Sequence, residues 1–245
     1  MTSTRDTFLS RRNLLLSGGG FALAGCSAEE VAQPAAAAQA DVGPAVDMPA
    51  PAPAAAAGLP IVTVLGDSIT AGYGLSAAQA LPVQLAAALK AIGRPAVVRG
   101  AGVSGDTTTG GLARVDFSVR DDTDLALVAL GGNDLLQGVD PARIRSNLDR
   151  IIQRLQARDI PVMLAGMMAP PRLGTYARDF NALYPELAET RNVPLYPFLL
   201  DGVALLQRYN QPDGIHPNAE GARLIATRLA PAVAQALARA ETARG

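Results

Sequence analysis

Short apolar runs alternate along this chain with longer segments of helical period, and this alternation limits the folds that it can adopt. The apolar runs predict strands at residues 61–65, 96–98, 124–130, 161–165 and 193–196. Helical spacing between and after them predicts helices over 81–92, 107–117, 141–158, 176–191 and 218–240. Strands that are apolar along almost their whole length are typical of a parallel sheet that helices cover on both faces. Right-handed crossovers then predict an α/β fold with three layers, whose doubly wound, flavodoxin-like sheet has five parallel strands in the order 2-1-3-4-5.

The first 26 residues are predicted to be an export signal. Arg11 and Arg12 precede an apolar segment from Leu14 to Ala24, which is too short to span a bilayer as a stable helix. The paired arginines resemble a twin-arginine signal. Residues 23–26 resemble the lipobox of bacterial lipoproteins, which implies cleavage before Cys26, the single cysteine, and lipid attachment to it. Because Ser27 follows instead of aspartate, the resemblance implies an outer-membrane lipoprotein that faces the periplasm or the cell exterior.

Residues 27–58 are predicted to be a tether. Alanine and proline dominate this stretch, which cannot bury enough apolar surface to offset the entropy of ordering. Proline also interrupts any long alanine helix. At the rise of a polyproline helix these residues could span roughly 100 Å, and we expect them to hold a domain away from a membrane.

Residues 59–245 remain as one domain of ordinary size. The whole chain has 21 basic and 22 acidic residues, and the first 26 residues remove three arginines and one aspartate from that balance. The mature net charge of about −3 argues against a nucleic-acid partner. A lone cysteine allows no disulfide within the chain, and we expect a monomer.

The first predicted strand ends at a candidate nucleophile, Ser68. Gly66 and Asp67 follow the apolar run, and the chain then turns away. A hydroxyl at the carboxyl end of a buried strand lies where open α/β sheets bind ligands. The N–H groups of the following helix can face charge that develops near it. A serine in such a turn also serves as an ordinary helix cap, so this motif alone does not decide its role.

The single histidine, His216, is the candidate general base. Asp213 stands three residues before it across a glycine, a spacing that lets the carboxylate bend back to Nδ1 and leaves Nε2 free to face Ser68. A lone histidine is more often structural or exposed than catalytic. One histidine and one cysteine give no metal-ligand pattern, so we expect neither a metal nor another cofactor.

Two further loops follow predicted strands at the same edge. Residues 99–111 are rich in glycine and can aim a backbone N–H at an oxyanion. Such loops also bind phosphate, but this one lacks the lysine of a phosphate-binding loop, which argues against phosphoryl transfer. Asn133 follows Gly131 and Gly132 and would place a carboxamide donor at the edge. Asparagine is also a common helix cap or turn former there.

Four ordered motifs together resemble the SGNH (GDSL) hydrolases, and most closely the bacterial thioesterase I, lysophospholipase L1 and arylesterase group. They are Gly66-Asp67-Ser68-Ile69, Ser104-Gly105-Asp106-Thr107, Gly131-Gly132-Asn133-Asp134 and Asp213-Gly214-Ile215-His216-Pro217. The resemblance covers nearly all of residues 60–240. It implies that Ser68 is the nucleophile, that Asp213 orients His216, and that His216 acts as base and then acid. It also implies an oxyanion hole formed by the N–H groups of Ser68 and Gly105 and the side-chain amide of Asn133.

The resemblance implies an esterase that cleaves carboxylic esters or thioesters through an acyl-serine intermediate. Five residues on loops expected near Ser68 are candidates for binding the acyl group: Leu135, Leu136, Met168, Pro170 and Leu173. Each of them could instead belong to the core. Two other functions stay open. One is a carbohydrate O-deacetylase of the same superfamily, and the other is a tethered binding lipoprotein without activity.

Overall fold

The computed structural model describes residues 58–244, so the predicted export signal, Cys26 and nearly all of the predicted tether lie outside the described residues. Within this range five strands form one sheet. They are β1 (Ile61–Gly66), β2 (Val97–Gly102), β3 (Leu125–Ala129), β4 (Val162–Ala165) and β5 (Leu195–Tyr196). All neighbouring strands are parallel and their order is β2-β1-β3-β4-β5, which confirms the predicted topology.

The helices confirm the predicted alternation and add two short ones at the ends of strands. They are α1 (Ser68–Ala71), α2 (Leu81–Ala91), α3 (Thr108–Ser118), α4 (Gly132–Gln137), α5 (Pro141–Gln156), α6 (Thr175–Arg191) and α7 (Ala219–Arg244). Single 3-10 turns lie at Ala77–Gln79, Pro171–Leu173 and Gln207–Tyr209. Periodicity did not predict α1 and α4, because helices of four and six residues are too short to show a helical pattern.

The strand β2 is longer than its apolar run predicts. It extends through residues 99–102, and every one of its residues is half-buried or exposed. It lies at the edge of the sheet and pairs with β1 alone. A strand with one neighbour needs less apolar sequence than the central strands, so its second half, Arg99 to Gly102, gave no strand signal.

Two helical layers cover the sheet. The helix α2 packs against α7, while α3 packs against α5 and α5 against α6. An apolar stripe of α5 is fully buried, at Ile144, Leu148, Ile151, Ile152 and Leu155. Asp140 begins this helix by accepting a hydrogen bond from the N–H of Ala142 at 2.9 Å. In α7, Ile225, Leu229, Val233 and Leu237 are buried, whereas Leu224 is only partly so.

The carboxyl ends of all five strands lie at one edge of the sheet, because the strands are parallel. Every candidate functional residue of the described range is on a connection that leaves this edge. The fold therefore brings residues from four distant parts of the sequence to one place.

Among the helices of residues 58–244, none combines the length and the apolar composition needed to cross a bilayer.

Candidate active site

Ser68 lies directly after β1, as the first residue of α1, and is 6% exposed. Gly66 ends the strand at a point where only glycine fits, since a Cβ there would overlap the Oγ1 atom of Thr70. Asp67 caps the short helix, with Oδ1 accepting a hydrogen bond from the N–H of Ile69 at 3.0 Å. The strand, the glycine and the cap together fix the position of the serine hydroxyl.

The helix α1 stops after one turn because Gly72 adopts a left-handed conformation, with φ of 77°. The carbonyl oxygen of Ser68 accepts hydrogen bonds from the N–H groups of Gly72 and Tyr73, each at 3.0 Å. Gly102, the last residue of β2, contacts the backbone of this turn. A Cβ at Gly102 would overlap the backbone nitrogen of Ala71, so the turn lies directly on the edge strand.

Ser68, His216 and Asp213 form a continuous hydrogen-bonded chain. The Nε2 atom of His216 lies 2.9 Å from the Oγ atom of Ser68, and Nδ1 lies 2.6 Å from Oδ2 of Asp213. The second carboxylate oxygen of Asp213 accepts from the backbone N–H groups of Ile215 at 2.9 Å and of His216 at 3.0 Å. An imidazole held in this way can take a proton from the hydroxyl while the carboxylate stabilises the charge that forms on the ring.

Asp213, which ends this series of hydrogen bonds, and Asp67, which precedes Ser68, have opposite environments. The backbone N–H and ring of His216 and the N–H of Ile215 donate to Asp213, which lowers the pKa of its carboxyl to about 2. Asp213 is therefore ionised at neutral pH. Asp67 is 2% exposed, and burial raises the pKa of its carboxyl to about 6, against the opposing effects of the Ile69 hydrogen bond and the charge of His216.

Three donors expected around an oxyanion are present at this edge. The N–H groups of Ser68 and Gly105 donate to no protein atom among residues 58–244. Gly105 has φ of 81°, a conformation that favours glycine, and space for a Cβ is open there. Asn133 uses its side-chain amide, which donates to the carbonyl oxygen of Asp106 at 2.9 Å and to Oδ2 of Asp67 at 3.4 Å. In this state the Asn133 amide therefore lies between the glycine loop and the serine turn.

The glycine loop is held in place by Arg114 of α3, a residue that sequence reasoning missed. Its guanidinium donates to Oδ2 of Asp106 at 2.7 Å, to the carbonyl oxygen of Ala101 at 2.9 Å and to that of Gly66 at 2.7 Å. One side chain thus links the ends of β1 and β2 to the loop that carries Gly105. An arginine at a helical position offers no local signal for such a role.

A buried polar cluster supports Asn133 from the other side. Asp134 is fully buried and accepts from the N–H of Thr108 at 2.8 Å and from its hydroxyl at 2.6 Å. Asn147 of α5 donates to the hydroxyl oxygens of Thr108 at 3.1 Å and of Thr109 at 3.0 Å. These bonds join the starts of α3 and α4 to α5, so the glycine loop and the loop that carries Asn133 are both fixed to the core.

The five residues predicted to bind the acyl group divide into two kinds. Leu136, Met168 and Leu173 are exposed, at 63%, 51% and 41%. Leu135 and Pro170 are half-buried, and Leu135 packs against the core. Leu136, Met168 and Leu173 have apolar side chains free to contact a ligand, whereas Leu135 is partly engaged in packing.

A small cavity of about 10 Å³ lies beside His216, and none of these five residues lines it. Its walls are Ile69, Gly72, Tyr73, Leu75, His216, Pro217 and Ala222. The ring of Tyr73 contacts the imidazole, with centroids 4.6 Å apart and planes inclined at 40°. Sequence reasoning passed over Tyr73, although it stands only five residues after Ser68. Within residues 58–244, no three His, Cys, Asp or Glu side chains come together in a way that could hold a metal ion.

Comparison with protein families gives a match over residues 64–224 to the GDSL-like Lipase/Acylhydrolase family. Among curated proteins, the esterase TesA of Pseudomonas aeruginosa is 38% identical over 156 residues, which cover 63% of this chain and 78% of that protein. The thioesterase 1/protease 1/lysophospholipase L1 of Escherichia coli K12 is 38% identical over 173 residues, which cover 70% of this chain and 82% of that protein.

Among solved structures, the chain is similar to AlinE4, a SGNH-hydrolase family esterase. The sequence identity is 45% and the TM-score is 0.61. The match covers 73% of this chain and 97% of that protein. The family match over residues 64–224 contains the four loops described above.

Proposed function

The chain belongs to the GDSL-like lipase/acylhydrolase family and is a carboxylic ester hydrolase, and from this premise we propose that it works through an acyl-serine intermediate on Ser68. The observation that carries the proposal is the hydrogen-bonded chain from Ser68 Oγ through His216 to Asp213, with lengths of 2.9 and 2.6 Å. No other histidine is available to act as the base, because His216 is the only one in the sequence.

In the first step Nε2 of His216 accepts the hydroxyl proton while Oγ of Ser68 forms a bond to the carbonyl carbon of the ester or thioester. The carbonyl π electrons move onto oxygen and give a tetrahedral oxyanion. Asp213, ionised at neutral pH, stabilises the imidazolium through Nδ1. When the tetrahedral species collapses, the bond to the leaving alcohol or thiol breaks, and His216 donates the proton to it.

The oxyanion is proposed to bind the N–H groups of Ser68 and Gly105 and the amide of Asn133. Neither backbone N–H donates a hydrogen bond to another protein atom within residues 58–244, so both can bind the oxyanion. Asn133 would turn one N–H from Asp67, its longer contact at 3.4 Å, toward the substrate. Each such donor contributes on the order of 3 kcal/mol to the stabilisation of the transition state.

In the second step a water molecule loses a proton to His216 and attacks the acyl carbon. The acyl–Oγ bond then breaks, the proton returns to Ser68, and the carboxylic acid is released. The free enzyme is regenerated with no change in oxidation state and no cofactor. His216 therefore acts first as base and then as acid in each half-reaction. Ser68 is the nucleophile in the first and the leaving group in the second.

Apolar acyl or aryl esters and thioesters are the substrates that the surface favours. Of the eleven large hydrophobic side chains exposed among the described residues, eight lie between the carboxyl end of a strand and the first long helix that follows it. They are Tyr73, Val103, Leu136, Met168, Leu173, Leu205, Leu206 and Ile215. Apolar surface concentrated around a nucleophile suits a hydrocarbon acyl chain better than a sugar. We propose that Leu136, Met168 and Leu173 contact this chain directly, and that Leu135 and Pro170 lie behind them.

The test is hydrolysis of p-nitrophenyl acyl esters, from acetate to palmitate, by the full-length protein. Ser68→Ala and His216→Ala should each abolish nearly all activity, while Ser146→Ala, a control at an exposed serine of α5, should keep it. Activity that survives in both site variants would contradict the proposal. Hydrolysis of acetylated sugars without hydrolysis of medium-chain esters would favour the O-deacetylase.

We also propose that the protein is exported and anchored through a lipid on Cys26. The support is the lipobox-like sequence after a short apolar segment. Labelling with a fatty acid analogue in a bacterial host should mark the native protein and leave Cys26→Ala unmarked. Equal labelling of both proteins would contradict the proposal.

A further inference from the structure

Two segments carry the residues of the hydrogen-bonded chain, and Gln211, at the start of the second, links it to the first. The serine segment, residues 67–74, follows β1, and the histidine segment, residues 211–217, precedes α7. The side-chain nitrogen of Gln211 donates to the carbonyl oxygen of Tyr73 at 2.7 Å. Among the hydrogen bonds of the described residues, the only other one that joins the two segments is that between Ser68 and His216.

The same side chain also closes the histidine segment on itself. Nε2 of Gln211 donates to the carbonyl oxygen of Pro217 at 3.0 Å, and its backbone N–H donates to the carbonyl oxygen of His216 at 2.8 Å. The carbonyl of Gln211 accepts from the N–H of Gly214 at 2.9 Å. Both hydrogens of the amide are thus directed at carbonyl oxygens, one on each segment.

The serine segment is shaped to receive this side chain. A Cβ at Gly74 would overlap the side-chain carbonyl of Gln211, so the amide lies directly against the backbone there. Gly74 has φ of 71°, which turns the chain at this point. Tyr73, whose carbonyl takes the Gln211 hydrogen bond, also places its ring against His216.

We propose that Gln211 is a positioning residue for the reaction, and that its amide holds the serine segment and the histidine segment at the separation that proton transfer requires. The proposal rests on the proposed roles of Ser68 and His216. Gln211 needs no contact with the substrate for this role, because it acts on the distance between two reacting groups. A displacement of about 1 Å between such groups can lower a rate by about 100-fold.

The chemistry of the side chain explains why glutamine is needed. Glutamate has nearly the same size but carries no hydrogen when ionised, so its oxygens would face two carbonyl oxygens. Alanine removes the contact and leaves the backbone bonds in place. Gln211→Glu therefore breaks the link between the segments by repulsion between oxygen atoms. Gln211→Ala breaks it by removing the donor.

The experiment compares Gln211→Ala and Gln211→Glu with the native full-length protein on p-nitrophenyl butyrate. We expect kcat to fall by about 10- to 100-fold in both variants, with KM changed less than about twofold. The control is Gln156→Ala, which also removes a side-chain bond to a carbonyl oxygen, that of Arg191 at 3.3 Å, at the opposite edge of the sheet. It should keep native kcat and KM.

A second measurement reports the position of the imidazole independently of turnover. Because His216 is the only histidine in the sequence, imidazole ¹⁵N signals in an NMR spectrum come from this residue alone. We expect the Nε2 signal of both Gln211 variants to move toward that of Ser68→Ala, which lacks the partner hydroxyl. Thermal melting checks that Gln211→Ala is folded. If it is not, Gln211→Glu, which keeps the side-chain volume, is used in its place.

The outcomes separate the two proposals. If Ser68→Ala abolishes turnover while both Gln211 variants keep native kcat and native Nε2 signals, the positioning role is wrong and the proposed reaction stands. If the Nε2 signal moves but Ser68→Ala retains activity, the link is real and the proposed reaction is wrong. A rise in KM with unchanged kcat would also overturn the positioning role, since it would place Gln211 in substrate binding.

Discussion

Ser68 and His216 lie 2.9 Å apart, yet the segments that carry them are held by different forces. The serine segment continues a central strand that pairs with both neighbours, and its first residues are almost fully buried. In the histidine segment, residues 213–215 are exposed and only Pro217 is buried. Polar contacts therefore hold His216, whereas packing and close backbone approach hold Ser68.

This contrast predicts that stability and activity, which mutations often change together, respond separately in the two segments. A substitution beneath the serine segment should disturb the core and lower both stability and activity. A substitution in the histidine segment should lower activity with little effect on stability, because exposed groups contribute little to the free energy of unfolding.

Removal of the base should give the largest effect on rate and almost none on stability. We expect His216→Ala to lower kcat/KM by about 10⁴-fold or more, as loss of a triad member does in serine hydrolases. The free energy of unfolding should change by less than about 1 kcal/mol, because the half-buried ring is held by polar contacts in a segment that is mostly exposed. Ester hydrolysis and urea denaturation check the two quantities. A loss of several kcal/mol would show that the histidine segment is part of the core.

Removal of the Asp213 charge should act on rate in the same direction. Asp213→Asn keeps an oxygen for the N–H groups of Ile215 and His216, so the loop should keep its shape. We expect kcat to fall on the order of 10³-fold, because the amide can no longer stabilise the imidazolium and favours the wrong tautomer. Steady-state kinetics at pH 7 and 8 measure this. Native kcat in the variant would remove Asp213 from the proposed mechanism.

A methyl group beneath the serine segment should lower stability and activity together. In Gly102→Ala the new Cβ would overlap the backbone of Ala71 and approach the carbonyl oxygen of Asp67 within 2.7 Å. Because backbone atoms cannot move aside as a side chain can, we expect the free energy of unfolding to fall by about 3 kcal/mol.

The matched control is Gly93→Ala, where φ is 75° but no atom lies within 4 Å of the new Cβ. Its cost should be about 1 kcal/mol, from backbone strain alone, with activity unchanged. Denaturation and ester hydrolysis of both variants provide the comparison. Equal losses in the two proteins would mean that the approach of β2 to the serine turn is not tight.

Asp67 should make stability depend on pH in an unusual direction. Its folded-state pKa, raised to about 6, exceeds the ordinary value of 3.8, so the folded protein binds this proton more tightly than the unfolded chain. The buried charge is thus a cost above pH 6 that fades as the pH falls through 6 and is gone below about 4. The difference between the two pKa values corresponds to about 3 kcal/mol at most.

Asp67→Asn keeps an oxygen for the N–H of Ile69 and removes the charge. We expect the variant to be more stable than the native protein at pH 8 by up to about 2 kcal/mol, with the gain disappearing near pH 4. Urea denaturation at several pH values measures the difference. A variant that is less stable at pH 8 would show that the carboxylate is stabilised in the folded state.

Much of the fold was predictable because burial on both faces leaves a strong mark in the sequence. The central strands have apolar residues at nearly every position, and the stripe of α5 identifies its buried face. The second half of β2 was missed because an edge strand has only one neighbour and is half-exposed. The one-turn helix α1 was missed because it is set by Gly72 and by the cap, not by periodicity.

Residues of the candidate site were predictable where their partners stand close to them in the sequence. Asp213 and His216 are three residues apart, and the chain offers no second histidine. Arg114 and Gln211 could not be found in this way, because the carbonyl groups that they bind belong to segments far away in the sequence. The raised pKa of Asp67 depends on burial, which the motif does not reveal.

The span of 148 residues between Ser68 and His216 also has a consequence for the order in which the protein is made. On the ribosome Ser68 emerges early, whereas His216 emerges only when the last helix is about to be synthesised. Until then the serine hydroxyl has no imidazole beside it. Under the proposed mechanism a nascent or truncated chain is therefore inert toward esters, and hydrolysis begins only once the last segments have been added.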